Sequence, residues 1–190
     1  MPVAKRTSTH SFREADQLRA HVAGPGSGIS GIDVRPEHAQ PARDDVLADI
    51  ALEYVRAYRG HWYRWGGDDP SGFDCSGFAV EFVQSVGRFL HGGDAGAQTL
   101  YRTYPVTTAP RRGCLAYWGS GPDGITHVEI VVAVHGDQVI TLGASGGGSK
   151  VKTVADAIRA NAFIKQRPIR APGRRTDFVG FNDPFLLTVG

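Results

Sequence analysis

Apolar side chains return at helical spacing twice in the first half of the chain. Leu47, Ile50, Ala51, Tyr54 and Tyr58 fall at i, i+3, i+4, i+7 and i+11, the stripe of a helix that buries one face. Asp44 or Asp45 can cap its start by accepting from an early amide, and Gly60 supplies the stop near Arg59. The run CSGFAVEFVQSVG repeats the pattern, with Phe78, Phe82, Val83 and Val86 facing inward and Gly87 ending it. DAGAQTLYRTY predicts a short third helix.

The period then shortens. GCLAYWG, HVEIVVAV and QVITLGAS are short, β-rich and bounded by Gly, Asp or Pro. HGDQ joins the last two as a hairpin turn with Gly136 and Asp137 at its centre. VADAIRANA reads as a brief helix and FIKQRPI as a further strand. Helices first and a sheet afterwards predict an α+β domain, N-terminal helices packed on a central antiparallel β-sheet. No internal repeat is visible. Residues 1–43 read as an extended arm with Gly/Pro-rich stretches and room for a short helix around Phe12–Val22. The domain itself is expected over 44–190, ending in a basic tail.

A chain of 190 residues with 41% apolar and 21% charged side chains can bury one globular core. Its net charge of +2 is unevenly spread, −3 over residues 1–149 and +5 over 150–190. The basic end suits an anionic wall polymer, nucleic acid, an acidic partner or simply a solvated face; nucleic acid is not the partner expected. Cys75 and Cys114 make no disulfide framework, and no CxxC or paired-His spacing marks zinc, so no metal or cofactor is expected. One bridge between the two cysteines stays open. The start MPVAKRTSTHSFREADQLRA lacks the apolar run of a secretory signal, and no later stretch has the length of a membrane span. The expectation is a chain made in the cytoplasm and carried by other means to any site of action outside it.

The chemistry concentrates in HWYRWGGDDPSGFDCSGF. Cys75 stands where loop becomes helix, and both the unpaired amides and the dipole of a helix start favour a thiolate there. Gly66, Gly67 and Gly72 allow close backbone approach, as a substrate crossing the thiol needs. Ser76 follows directly, so first-turn amides can hold an oxyanion; Asp74 can cap the helix or grip a substrate amine; Trp62, Tyr63 and Trp65 can wall a cleft or fill the core. A cysteine nucleophile needs a base. His10, His21 and His38 lie in the arm, and His61 and His91 lie near helix ends or loops. His127 alone begins an apolar strand. His135 shares its parity but lies roughly 26 Å along that strand, in the turn.

YRWGGDDPSGFDCSGF resembles the signature of the NlpC-type cysteine peptidases, papain-like enzymes that cut peptidoglycan stem peptides: Tyr-x-x-Gly-Gly, then Phe-Asp-Cys-Ser-Gly-Phe. RRGCLAYW resembles the family's Gly-Asp-Leu-x-Phe-Phe strand, HVEIVVAV its His-Val-Gly-Ile strand, and GASGGG the segment of its third catalytic residue. The likeness runs from about Ala51 to Gly148. It implies a papain-like fold, Cys75 as nucleophile, His127 as general base, and Tyr63, Asp74 and Ser76 as oxyanion or substrate contacts. Three positions depart from the pattern. Cys114 replaces an Asp, and as a small buried strand residue it needs no second reactive thiol. Glu129 replaces a Gly and shares a strand face with His127, so it can meet the imidazole, the substrate or solvent. The orienting residue falls on Thr141 or on Gly143, depending on how the hairpin is aligned, and parity keeps both on one face.

The resemblance therefore implies an endopeptidase acting on peptidoglycan stem peptides, at the bond between D-glutamate and the diamino acid. The GCLAYW, GASGGG and DFVGFNDPF variants look like phage-encoded members. That suggests a lytic or tail-borne enzyme acting in the cell wall or periplasm, with phage tail proteins as partners for the arm and basic tail. Other readings are a non-catalytic tail component with the same fold, a thiol acyltransferase or amidase, and an antibacterial toxin.

Overall fold

The computed structural model describes residues 43–89 and 93–186. The arm up to residue 42, with its candidate helix around Phe12–Val22, and His91 lie outside the described residues.

Three helices precede the main sheet: α1 (Arg43–Arg56), α2 (Cys75–Ser85) and α3 (Ala97–Thr103). Between α1 and α2 the loop folds into a small antiparallel pair, β1 (Asp68–Asp69) with β2 (Gly72–Phe73). The main sheet follows with β3 (Val106–Thr107), β4 (Leu115–Gly119), β5 (Ile125–His135) and β6 (Gln138–Ser145). After a short helix α4 (Val154–Ala160) come β7 (Phe163–Pro168) and β8 (Phe178–Asn182). All main-sheet neighbours are antiparallel, in the order β3-β8-β4-β5-β6-β7. The α+β expectation and the hairpin at Gly136–Asp137 both hold, the turn closed by the His135–Gln138 pair.

Strand alternation gives the sheet two different faces. Leu115, Tyr117, Val128, Ile130, Leu142 and Ala144 join the core shared with the helices, against Phe78, Phe82 and Val83 of α2. Full burial of each of those three α2 side chains stabilises the domain by about 1.5–3 kcal/mol. Ala116, Trp118, Val131 and Val139 form a second cluster, packed by Ile169 and Phe181.

The buried face of α1 is rotated from the predicted stripe. Ala48, Ala51, Leu52 and Val55 are sealed, whereas Ile50 is 65% exposed and Tyr54 43% exposed. Leu47 and Tyr58 pack at the margin of the core. Close approach selects this face: a Cβ added at Gly113, just before β4, would lie 3.2 Å from the Ala48 methyl and 2.9 Å from the Phe185 ring. Ile50 and Tyr54 are too bulky for that contact, and Tyr54 instead donates its hydroxyl to Glu81 of α2.

Residues 150–186 do not form an appended basic tail. α4 is fixed by a capping box between Thr153 and Asp156, β7 closes one edge of the sheet, and β8 inserts between β3 and β4. Asn182 Nδ2 donates to the carbonyls of Tyr101 and Tyr104, and Arg111 Nε donates to Asp183 at 2.8 Å. Since β4, β5 and β6 separate β7 from β8, residues 169–177 cross the second face as a strap.

Candidate active site

Cys75 is the first residue of α2 and is partly exposed. Asp74 is the N-cap: its Oδ1 accepts from the Gly77 amide at 2.8 Å and from Ser76 Oγ at 2.9 Å, and its Oδ2 accepts from the Gly66 amide at 3.0 Å. One carboxylate thus closes the helix and ties the preceding loop to it. Tight backbone contacts serve this docking, since a Cβ on Gly67 would stand 2.1 Å from the Gly72 carbonyl oxygen and one on Gly77 2.1 Å from the Gly67 carbonyl oxygen, whereas Gly66 has open space around it. Asp74 and Ser76, expected as oxyanion or substrate contacts, are engaged with each other in the cap. Neither lines the groove beside the thiol.

His127 lies near the start of β5, paired in register with Trp118 of β4. Its imidazole and the Cys75 thiol line one groove, and the thiol helps to raise the imidazole pKa. Its Nε2 lies 3.1 Å from Glu129 Oε1. Burial alone would push the imidazole pKa down, but Cys75 and Glu129 overcome it and hold the pKa at about 9. Burial would likewise raise the Glu129 pKa; contacts with His127 and Arg174 outweigh it and bring the carboxyl to about 2.

The third group was the open question in the sequence, and the hairpin's return strand does not supply it to the imidazole. Gly143 has no side chain, and Thr141 donates its hydroxyl to Glu129 Oε2. The polar atom on Nε2 comes from Glu129, two residues beyond the histidine on the same strand. The space it uses is the one Gly143 leaves, since a Cβ there would stand 2.4 Å from Glu129 Cγ and 2.9 Å from Glu129 Cβ.

Arg174, from the strap, holds the carboxylate from the other side. Its Nη1 donates to Oε1 at 3.0 Å and its Nη2 to Oε2 at 2.7 Å, while the guanidinium lies 5.0 Å over the Trp118 ring. The Arg174 side chain is only 6% exposed. Shared strand parity made Glu129 visible as a candidate, but nothing local announced Arg174, 45 residues away in sequence.

These groups border a groove of about 370 Å³, whose walls include Tyr63, Trp65, Trp118, Arg167 and Arg175. Tyr63 is buried with its ring close-packed on Gly147, where an added Cβ would come within 2.1 Å of the ring. Burial, then the nearby Cys75 and Asp74, keep its hydroxyl protonated well beyond the usual phenol range. Cys114 is buried on the second face and accepts from the Arg111 amide at 3.4 Å; burial pushes its thiol up to about 11. Both cysteines are free. His61 is exposed, its ring against Tyr58, and His135 sits in the distant turn. Among the described residues, no three His, Cys, Asp or Glu side chains are grouped to hold a metal ion, and no helix is long and apolar enough to cross a membrane.

The NlpC/P60 family profile matches residues 60–167, more than half of the sequence and all of the Cys75–His127 pair. The chain belongs to the NlpC/P60 family. This is a family of cysteine peptidases and peptidoglycan hydrolases that also contains non-catalytic members. A curated relative, Protein P54 of Enterococcus faecium, is 39% identical over 98 residues, covering 51% of this chain and 18% of that protein. The NlpC/P60 family protein from Bacillus cereus superposes with a TM-score of 0.56 at 19% identity, over 71% of this chain and 39% of that one. A lipoprotein-like NLP/P60 protein of Staphylococcus aureus gives a TM-score of 0.52 at 18% identity, over 74% of this chain and 42% of its own. These two share the papain-like fold with this NlpC/P60 chain. The family match stops before the strap, so Arg174 and Arg175 lie outside it.

Proposed function

We propose that this chain is a peptidoglycan endopeptidase in which Cys75 is the nucleophile and His127 the general base. The observation that carries the reading is that a thiol at a helix start and an imidazole held by a buried carboxylate line the same groove. Nε2 is committed to Glu129, so Nδ1 exchanges the proton with Cys75. The thiolate attacks a stem-peptide carbonyl to give a tetrahedral oxyanion, which the Cys75 amide and the protonated Tyr63 hydroxyl stabilise. The imidazolium then protonates the leaving amine, the C–N bond breaks, and a thioester remains on Cys75. Water, deprotonated by His127, hydrolyses the thioester and restores the thiol.

Resemblance to the family motifs supports the bond between D-glutamate and the diamino acid as the one cut. The phage-like GCLAYW, GASGGG and DFVGFNDPF variants support delivery by a phage particle or lysis system to the cell wall. Mass spectrometry of purified peptidoglycan digested with wild type and Cys75→Ala tests the assignment. Peptide fragments ending at D-glutamate are expected from the wild type alone, with both proteins giving the same circular dichroism. Equal release by the variant refutes the role of Cys75.

A further inference from the structure

The groove beside Cys75 carries an excess of fixed positive charge. Arg167, Arg174 and Arg175 all line it, against a single carboxylate, Glu129. That carboxylate is already saturated by His127, Thr141 and both terminal nitrogens of Arg174. Arg167 lies 3.8 Å from it and donates instead to Ser145 Oγ; the Nε atoms of Arg167 and Arg174 are buried without a partner among the described residues. Arg174, almost fully buried, is part of the wall. Arg175 differs: its side chain is 42% exposed, and two anchors hold it. Nε donates to Asp177 Oδ1 at 2.9 Å, and Nη2 donates to Asp177 Oδ2 and, at 2.8 Å, to Thr126 Oγ1. Both anchors lie on one edge of the planar fork, which fixes its orientation and leaves Nη1 outside these contacts. The Asp177 contact, and after it the neighbouring Cys75, favour the charged guanidinium.

We propose that Arg175 reads a carboxylate flanking the scissile bond, making this groove selective for anionic peptides over their amidated counterparts. The inference rests on the peptidase reading above for the position of that bond. Two carboxylates can lie there: the α-carboxylate that a γ-linked D-glutamate keeps, and the side-chain carboxylate of a diaminopimelate residue. A neutral peptide displaces water from the exposed part of Arg175 without replacing its hydrogen bonds, whereas a carboxylate completes a further charge-assisted pair.

The test uses four synthetic stem peptides: D-glutamate with a free or amidated α-carboxyl, each combined with diaminopimelate or lysine. Wild type is expected to prefer one free carboxylate by roughly ten- to hundredfold in kcat/KM, the range of a hydrogen bond to a charged partner. The position that matters identifies which carboxylate is read. Arg175→Gln is expected to bring that ratio near one and Arg175→Lys to keep part of it. Because each ratio is taken within one protein, loss of folded protein cancels. Calorimetric binding of the same peptides to Cys75→Ala separates recognition from turnover. If Cys75→Ala discriminates while wild type cuts nothing, the carboxylate reading stands and the peptidase reading falls. Equal affinity for all four peptides overturns the proposal. So does an Arg175→Gln variant that is slowed equally on all of them, since the guanidinium would then only support the thiolate or the strap.

Discussion

Glu129→Gln keeps the shape of a 1% exposed side chain and removes only its charge. Two consequences separate. The first falls on Arg174, 94% buried and paired through both terminal nitrogens with the carboxylate. Removing one member of a buried pair leaves an uncompensated charge and costs about 3–5 kcal/mol. The second falls on His127, whose pKa rises from 6.5 to about 9, equivalent to about 3 kcal/mol of preference for the imidazolium. A raised pKa contributes stability that is complete below 6.5 and lost as pH rises through about 9. The depressed Glu129 pKa contributes stability present above 4.5 and lost as pH falls towards about 2. Both shifts describe largely the same contact and count once.

Urea unfolding at pH 7 reads the first consequence, and NMR titration of the His127 ring protons reads the second. Wild type should hold its imidazolium until an alkaline limb near 9. In Glu129→Gln that limb should move towards 6.5, and the unfolding free energy should drop by about 3 kcal/mol or more. Adding Arg174→Met should recover much of the stability, because the stranded charge is gone, without restoring the alkaline limb. A Glu129→Gln protein that loses under about 1 kcal/mol and keeps its limb near 9 refutes the pairing.

Gly143→Ala should disturb the same contact from the opposite strand: its methyl would come 2.4 Å from Glu129 Cγ, and the strain should lower stability by about 1–3 kcal/mol in urea unfolding and move the alkaline limb down. Gly147→Ala should press on the Tyr63 ring, 2.1 Å from the new methyl, lowering kcat/KM on peptidoglycan fragments while leaving that limb in place. Asp74→Ala removes the cap of α2 and the tie to Gly66, with an expected loss of about 1–2 kcal/mol in the unfolding free energy.

Elements whose pattern is set by their own neighbours were legible in the sequence. α2 and the β5–β6 hairpin bury the residues their periods indicate because each packs one uniform face on the core. α1 misled for a physical reason: a count of large apolar residues favours Ile50 and Tyr54, whereas close approach to Gly113 favours the smaller Ala48. β8 gave little warning, since it is held by Asn182 and Asp183 reaching partners 72–81 residues away. The two features around His127 look independent in one dimension, an acid where the family has glycine and a glycine at one of the two positions open to the orienting residue. Folded, they form one arrangement, because the Glu129 side chain fills the volume that Gly143 vacates and reaches Nε2 from the histidine's own strand. That arrangement buries a carboxylate deeply enough to need a cation. The cation comes from the strap, and the route of the strap over the second face is in turn set by β8. The least legible part of the chain therefore holds the charge on which the geometry of its most legible motif depends.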